Sequence, residues 1–156
     1  MKFAYLALPS RRPIPSLGGA QIRHRPIIPV PFTGPTGSGR LSASLDSGSD
    51  DTLFPLHLAA HLGVDLTSAA DGEARSVGGS AIRYAYAPMM LRVADGSEAC
   101  EWTAIVGFIA APLRWAILGH AGFLEFFDVQ LLGGRREALL VPNASFSGRQ
   151  TFRQPP

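Results

Sequence analysis

At 156 residues and a formal net charge of +2, the chain is long enough for one core and short for two. Hydrophobic residues make up 46% and charged residues 17%, a mixture that can bury a real core and excludes global disorder. The 17 Gly and 13 Pro favour turns and short strands, which argues against a helical bundle. Of the 14 basic residues 13 are Arg, scattered except for the pairs Arg11-Arg12 and Arg135-Arg136 and not interleaved with aromatics, so no nucleic-acid partner is expected. Cys100 is the only cysteine, and neither an intramolecular disulfide nor a Cys-based metal site can form. The apolar run Phe3 to Leu8 is shorter than the roughly seven to fifteen residues of a signal peptide, and no stretch is long enough to span a bilayer. The chain reads as soluble and cytoplasmic, with no membrane partner and with export left open.

Six prolines between Pro9 and Pro31, with Gly18-Gly19 among them, predict an extended arm, because proline removes backbone donors and holds its predecessor out of the helical region. Ile27 to Phe32 reads as an edge strand for the same reason. After the turn cluster Gly34 to Gly39, Arg40 to Leu45 alternates, with Leu41, Ala43 and Leu45 on one face, and delivers the chain to Asp46. Pro55 to Leu62 has near-helical spacing, with Pro55 at a favoured start and Gly63 at a favoured stop. Glu73 to Val77 and Ile82 to Val93 form a hairpin around Gly78-Gly79-Ser80. Asp95-Gly96 turns the chain into a further strand, Ala99 to Ala110. Trp115 to Leu118 is a brief apolar run, Gly122 to Phe127 a short helical turn, and Val129 to Leu132 with Glu137 to Val141 a last hairpin around Gly133-Gly134. From Asn143 onward the chain is polar without an apolar period and reads as a tail with little core contribution.

The segment that carries chemistry is Leu45-Asp46-Ser47-Gly48-Ser49-Asp50-Asp51-Thr52, an apolar strand that ends in Asp-Ser-Gly followed by two further acids. A glycine two positions after an acid lets backbone amides approach the carboxylate, and the hydroxyl between them can fix the loop. Alone, Asp-Ser-Gly is a common turn. Its order here, with a short helix, a Gly-rich hairpin and the late run Ala116-Ile117-Leu118-Gly119 followed by Gly122-Phe123-Leu124, resembles the retropepsin-like aspartic proteases over about Arg25 to Pro142.

That resemblance implies a mainly β acid-protease barrel with one or two short helices and a flap hairpin, built as a symmetric homodimer. It divides the chain into an amino-terminal arm (1–24), a protease domain (25–142) and a carboxy-terminal tail (143–156). Asp46 would be the catalytic aspartate, Ser47 the hydroxyl that grips the partner's loop, and Gly48 the close-approach position. Asp50 and Asp51 match the acids that hold substrate main chain; Val77, Gly78 and Gly79 match the flap, and Ile117 the pocket wall. Peptide hydrolysis by water needs one ionised carboxylate as base and one protonated carboxyl as acid. The chain has no second Asp-Ser/Thr-Gly, so the partner Asp46 must come across a twofold axis. The expected activity is aspartic-type endopeptidase on a peptide or protein substrate, with no cofactor and no metal. A module that keeps the fold for dimerisation or peptide binding without catalysis is the alternative.

One departure from the family pattern is His120, where many relatives place an Arg that pairs with an acid of the Asp loop. If the ring faces Asp50, the pair strengthens as imidazole gains a proton. His57 and His61 are four apart but lack the Glu of the His-Glu-x-x-His pattern, and read as a solvated helix face. No Gly-x-Ser-x-Gly surrounds Ser47 or Ser49, which argues against a serine hydrolase. Cys100 reads as a buried strand residue, and Phe123, Phe126 and Phe127 as core aromatics.

Overall fold

Alternation of apolar and polar positions becomes strand almost everywhere in the structure, a computed structural model that describes residues 1–75 and 79–152. In chain order the strands are β1 (Lys2–Ala4), β2 (Leu6–Ile14), β3 (Ala20–Arg25), β4 (Ile27–Thr33), β5 (Ser38–Leu45) and β6 (Leu53–Pro55). After the α-helix α1 (His57–His61) come β7 (Asp71–Arg75), β8 (Ala81–Ala94), β9 (Glu98–Ile109), β10 (Ala116–Leu118), β11 (Phe127–Leu132), β12 (Glu137–Pro142) and β13 (Arg149–Phe152). Short 3-10 turns occupy Pro15–Leu17 and Leu124–Phe126. Among the described residues, no helix is long and apolar enough to cross a membrane.

Six strands close into a barrel in the order β9, β6, β10, β5, β4 and β8, with β8 returning to β9. Closure removes the open edges of the central strands. On β8, Ala87, Met89, Leu91 and Val93 point inward and are buried, while Pro88, Met90 and Arg92 face out. Opposite them β9 buries Cys100, Trp102, Ala104, Val106 and Phe108. Phe54, fully buried on β6, meets Phe32 and Phe108 edge-on at 5.6 and 6.2 Å between ring centroids. Phe54→Ala would cost about 3–5 kcal/mol, because three walls of the barrel lose contact at once.

The β8–β9 hairpin turns at Asp95-Gly96. One carboxylate oxygen of Asp95 accepts the Ser97 and Glu98 amides at 3.0 and 3.1 Å and the Ser97 hydroxyl at 2.8 Å, and the other accepts the Lys2 amide at 2.8 Å. Partial burial opposes ionisation there, but these donors outweigh it and hold the Asp95 carboxyl at about 2. The same residue therefore shapes the turn and fastens the amino terminus to the barrel. Cys100, on the strand that follows, is buried as expected, and burial, with the Glu98 charge behind it, pushes its thiol up to about 11.

β4 departs from the expected edge strand: it pairs with β5 along its whole length and with β8 through Phe32 and Thr33. Pro29 and Pro31 are two apart, so both missing donors fall on the same side, and Ile28, Val30 and Phe32 supply the bonds to β5. The Pro-rich arm is a strand pair. β1 adds to β12 and β11 in a three-stranded sheet, while β2 and β3 form a separate two-stranded hairpin. The chain after Asn143 also forms a strand, β13, exposed throughout and laid on β9, and Phe146 before it packs against Trp102 at 6.1 Å. These additions carry almost no apolar period, which is why the pattern of the sequence does not announce them.

Candidate active site

Residues 46–52 leave the end of β5 and enter β6, yet those two strands are not neighbours. β10 is inserted between them, parallel to β5 through the pairs Ala116↔Ala43 and Leu118↔Leu45 and antiparallel to β6 at Ile117↔Leu53. The connecting loop must cross the end of β10, and its backbone is stitched to the residues that continue it. The Asp46 amide donates to the Leu118 carbonyl at 3.1 Å, the His120 amide to Ser49 at 2.9 Å, and the Ala121 amide to Asp50 at 2.8 Å. The Thr52 amide closes the series onto Ala121 at 3.0 Å. Gly119 sits in the middle of this seam, where a Cβ would lie 2.2 Å from the Asp51 carbonyl oxygen. Only glycine allows the two backbones to come this close.

Within the loop, Asp46 is half-buried and its Oδ1 accepts the Gly48 amide at 3.0 Å. Ser47 is exposed, and its carbonyl oxygen lies 3.2 Å from the His120 Nε2. The Ser49 hydroxyl donates to the Asp51 carbonyl at 2.8 Å. His120 thus uses its ring to close the loop on Ser47 rather than to pair with Asp50, and no His120–Asp50 ion pair occurs among the described residues. A neutral imidazole with its proton on Nε2 suffices for that bond. The segment that carries His120 is itself anchored: the Trp102 indole donates to the Gly122 carbonyl at 3.1 Å, and its ring packs edge-on against Phe123 and Phe127.

Two depressions flank the loop. One, of about 580 Å³, is bordered by Asp46, Ser47 and His120 and by Asp128, Val129 and Leu131 of β11. Asp128 was not singled out from the sequence; strand alternation puts it outward on β11, but only the fold sets β11 beside Asp46. The other, a groove of about 290 Å³, is bordered by Ser49, Asp50, Asp51 and Tyr84 and by Glu73 and Arg75 of β7, which form an ion pair at 3.0 Å. The expected hairpin is therefore present, and its first strand runs along the Asp loop. Of the residues expected at the hairpin tip, Gly79 is exposed with φ +78°, whereas Val77 and Gly78 lie outside the described residues.

Asp51 has partners that the sequence does not reveal. Tyr84 and Tyr86, two apart on β8, both donate their hydroxyls to its Oδ2, the Tyr86 bond being 3.0 Å. The Tyr84 ring reaches this position because Gly72 and Gly107 leave it room; a Cβ at either would stand 2.5 Å from the ring. Burial, reinforced by the Asp51 carboxylate, raises the pKa of Tyr84; burial also raises that of Tyr86. Tyr84, Leu53 and Ile109 form a small second apolar cluster against which Ile117 packs. Asp50 keeps an exposed side chain beside this cluster.

Asp46, Ser47, Gly48, Asp50, Asp51 and Ile117 are thus gathered at one end of the barrel by β5, β6 and β10. The described residues contain no group of three or more His, Cys, Asp or Glu that could hold a metal ion. What the loop presents is the half-buried Asp46 carboxylate on a backbone tied to residues 118–121, with Asp50 and Asp51 bordering the neighbouring groove. No protein-family model matches the chain, and no curated protein matches it.

Proposed function

We propose that the protein is an aspartic endopeptidase of retropepsin-like type, in which two copies bring their Asp46 carboxylates together across a twofold axis. The observation that carries this reading is the placement of Asp46 on a backbone-clamped loop that crosses the end of an inserted strand. A general acid–base pair needs that rigidity, since the attacking water must be held between two carboxyl groups without reorganisation. Two close carboxylates cannot both ionise readily and so share one proton, which supplies base and acid in a single site. One Asp46 takes a proton from the water as its oxygen attacks the scissile carbonyl, while the other donates to the carbonyl oxygen; the first then passes its proton to the leaving amine as the C–N bond breaks, and the second recovers its own from the gem-diol hydroxyl. The groove along Asp50 and β7 holds an extended substrate, with Asp50 as the exposed acceptor for a main-chain amide.

The test is cleavage of a diverse peptide pool between about pH 3 and pH 7, where a carboxyl pair can hold a single proton. Wild type is expected to cut and Asp46→Asn to be silent. Adding an excess of Asp46→Asn chain to wild type should suppress cutting further than dilution does, because mixed dimers lack one carboxylate. Cutting that follows the wild-type concentration alone would exclude a shared site. A folded dimer that cuts nothing would leave peptide binding without catalysis.

A further inference from the structure

The β2–β3 hairpin belongs to no larger sheet, and its two outer edges are unlike. Its register runs Leu6↔Arg25, Ala7↔His24, Leu8↔Arg23 and Pro9↔Ile22. Proline has no N–H, so Pro9↔Ile22 cannot be a pair that exchanges two hydrogen bonds; alternation makes Leu8↔Arg23 and Leu6↔Arg25 the bonded pairs. The N–H and C=O of Ile22 and His24 therefore point away from β2, and none of them finds a backbone partner among the described residues.

β2 protects its own outer edge. Pro9 and Pro13 delete donors, and the register shifts between Pro9 and Ile14 where the Ser10 hydroxyl turns onto the Arg12 carbonyl at 2.7 Å. β3 has no proline from Ala20 to Arg25 and is guarded only by charge. Arg23 and Arg25 project from one face of it and share a groove of about 360 Å³ with Arg114 and Trp115, the Arg114 guanidinium lying 4.8 Å from the Trp115 ring centroid. None of these three arginines is in an ion pair among the described residues. Nor is there an acid nearby in sequence: residues 1–45 hold Lys2 and five Arg but no Asp or Glu, and all 12 acids lie at or beyond Asp46.

We propose that the free edge of β3 docks an extended acidic segment of another protein as an added strand. Its main chain bonds to Ile22 and His24, and acids at alternate positions lie over Arg23 and Arg25, with an apolar side chain at the position just outside this pair facing the exposed Ile22. A second copy of this strand is a poorer occupant, because antiparallel self-pairing sets arginine across from arginine. Phosphates of a nucleic acid would answer the arginines but leave the main-chain edge unused. This docking surface stands independently of peptidase activity.

The experiment uses the full chain and its Asp46→Asn form, so that no cleavage enters, and measures polarisation of a labelled peptide alternating Glu with Val. A peptide of the same composition with its Glu clustered, and a single-stranded oligonucleotide of equal charge, serve as competitors. The alternating peptide is expected to bind at least about tenfold more tightly than the clustered one, since only the former matches the strand period. Binding should weaken with salt, vanish in Arg23→Glu/Arg25→Glu and persist in Arg23→Lys/Arg25→Lys. Ile22→Pro, which deletes an outward donor without changing charge, should also weaken it, with the melting temperature of each variant reporting its folding. The proposal is overturned if the alternating peptide does not bind, or if the clustered peptide or the oligonucleotide competes equally. It is likewise overturned if folded Ile22→Pro binds as wild type does, or if sedimentation finds self-association that this substitution removes.

Discussion

The Asp46 loop and the β2–β3 hairpin both stand outside the regular barrel ladder, and they are held in opposite ways. Four backbone bonds tie residues 46–52 to residues 118–121, and Gly119 lies in van der Waals conflict with any side chain that would replace its hydrogen. The hairpin is bound mainly to itself, and at its tip Gly18 and Gly19 have no neighbour within 4 Å of where a Cβ would stand. Close backbone contacts are thus concentrated around the Asp46 carboxylate, and unsatisfied main chain is left where another chain could pair. Stability and function are distributed by backbone hydrogen bonding as much as by apolar burial.

The contrast breaks most visibly at Asp46. Asp46→Asn should reduce peptide cleavage by at least about a hundredfold while leaving the melting temperature near wild type, because the amide keeps the Gly48 bond but cannot serve as base. A mutant that cuts normally would transfer the chemistry elsewhere. Gly119→Ala tests the seam itself: the added methyl must displace the Asp51 backbone, and denaturant titration should show a loss of about 3 kcal/mol. Substitution at the hairpin tip supplies the opposite pole. Gly18→Ala meets no atom, yet forces alanine to φ +63°, and should cost only about 1 kcal/mol without altering the barrel.

Between those extremes lie two polar contacts. Tyr84→Phe leaves Asp51 with the Tyr86 hydroxyl alone and should cost about 1–3 kcal/mol, as expected for a hydrogen bond to a charged group. In wild type the raised folded pKa of Tyr84 and Tyr86 means that their contribution is complete below the ordinary tyrosine range and is lost as pH climbs through the folded values. Alkaline absorbance titration should therefore show two phenols ionising late. Asp95 works with the other sign: its folded pKa of about 2 is depressed, so its stabilisation is present above about pH 4 and disappears as pH falls towards 2. Asp95→Asn should flatten that part of the acid-unfolding curve, and the amino-terminal strand, which Asp95 holds through Lys2, should exchange its amides faster.

The strands β5, β8 and β9 are legible because they repeat apolar residues with period two, whereas the barrel they join is implied only by the resemblance. The Asp loop is legible as a motif, since its residues are contiguous. Tyr84 and Tyr86 are not, because they reach Asp51 across more than thirty positions, Tyr84 through a gap left by two glycines on other strands. Asp128 was hidden for the same reason of distance along the chain. β4 departs from the expected edge strand because the spacing of its prolines directs both missing donors to one side and leaves the other free to pair. The hairpin β2–β3 escaped recognition because it buries almost nothing, and apolar period is the signal from which strands are read.

Cys100 gives the chain a clock. With no accessible surface and a thiol that burial pushes up to about 11, it stays protonated and out of reach near neutral pH. Alkylation must await separation of β9 from its neighbours, so the rate at which a thiol reagent consumes this lone thiol records how often the closed barrel opens.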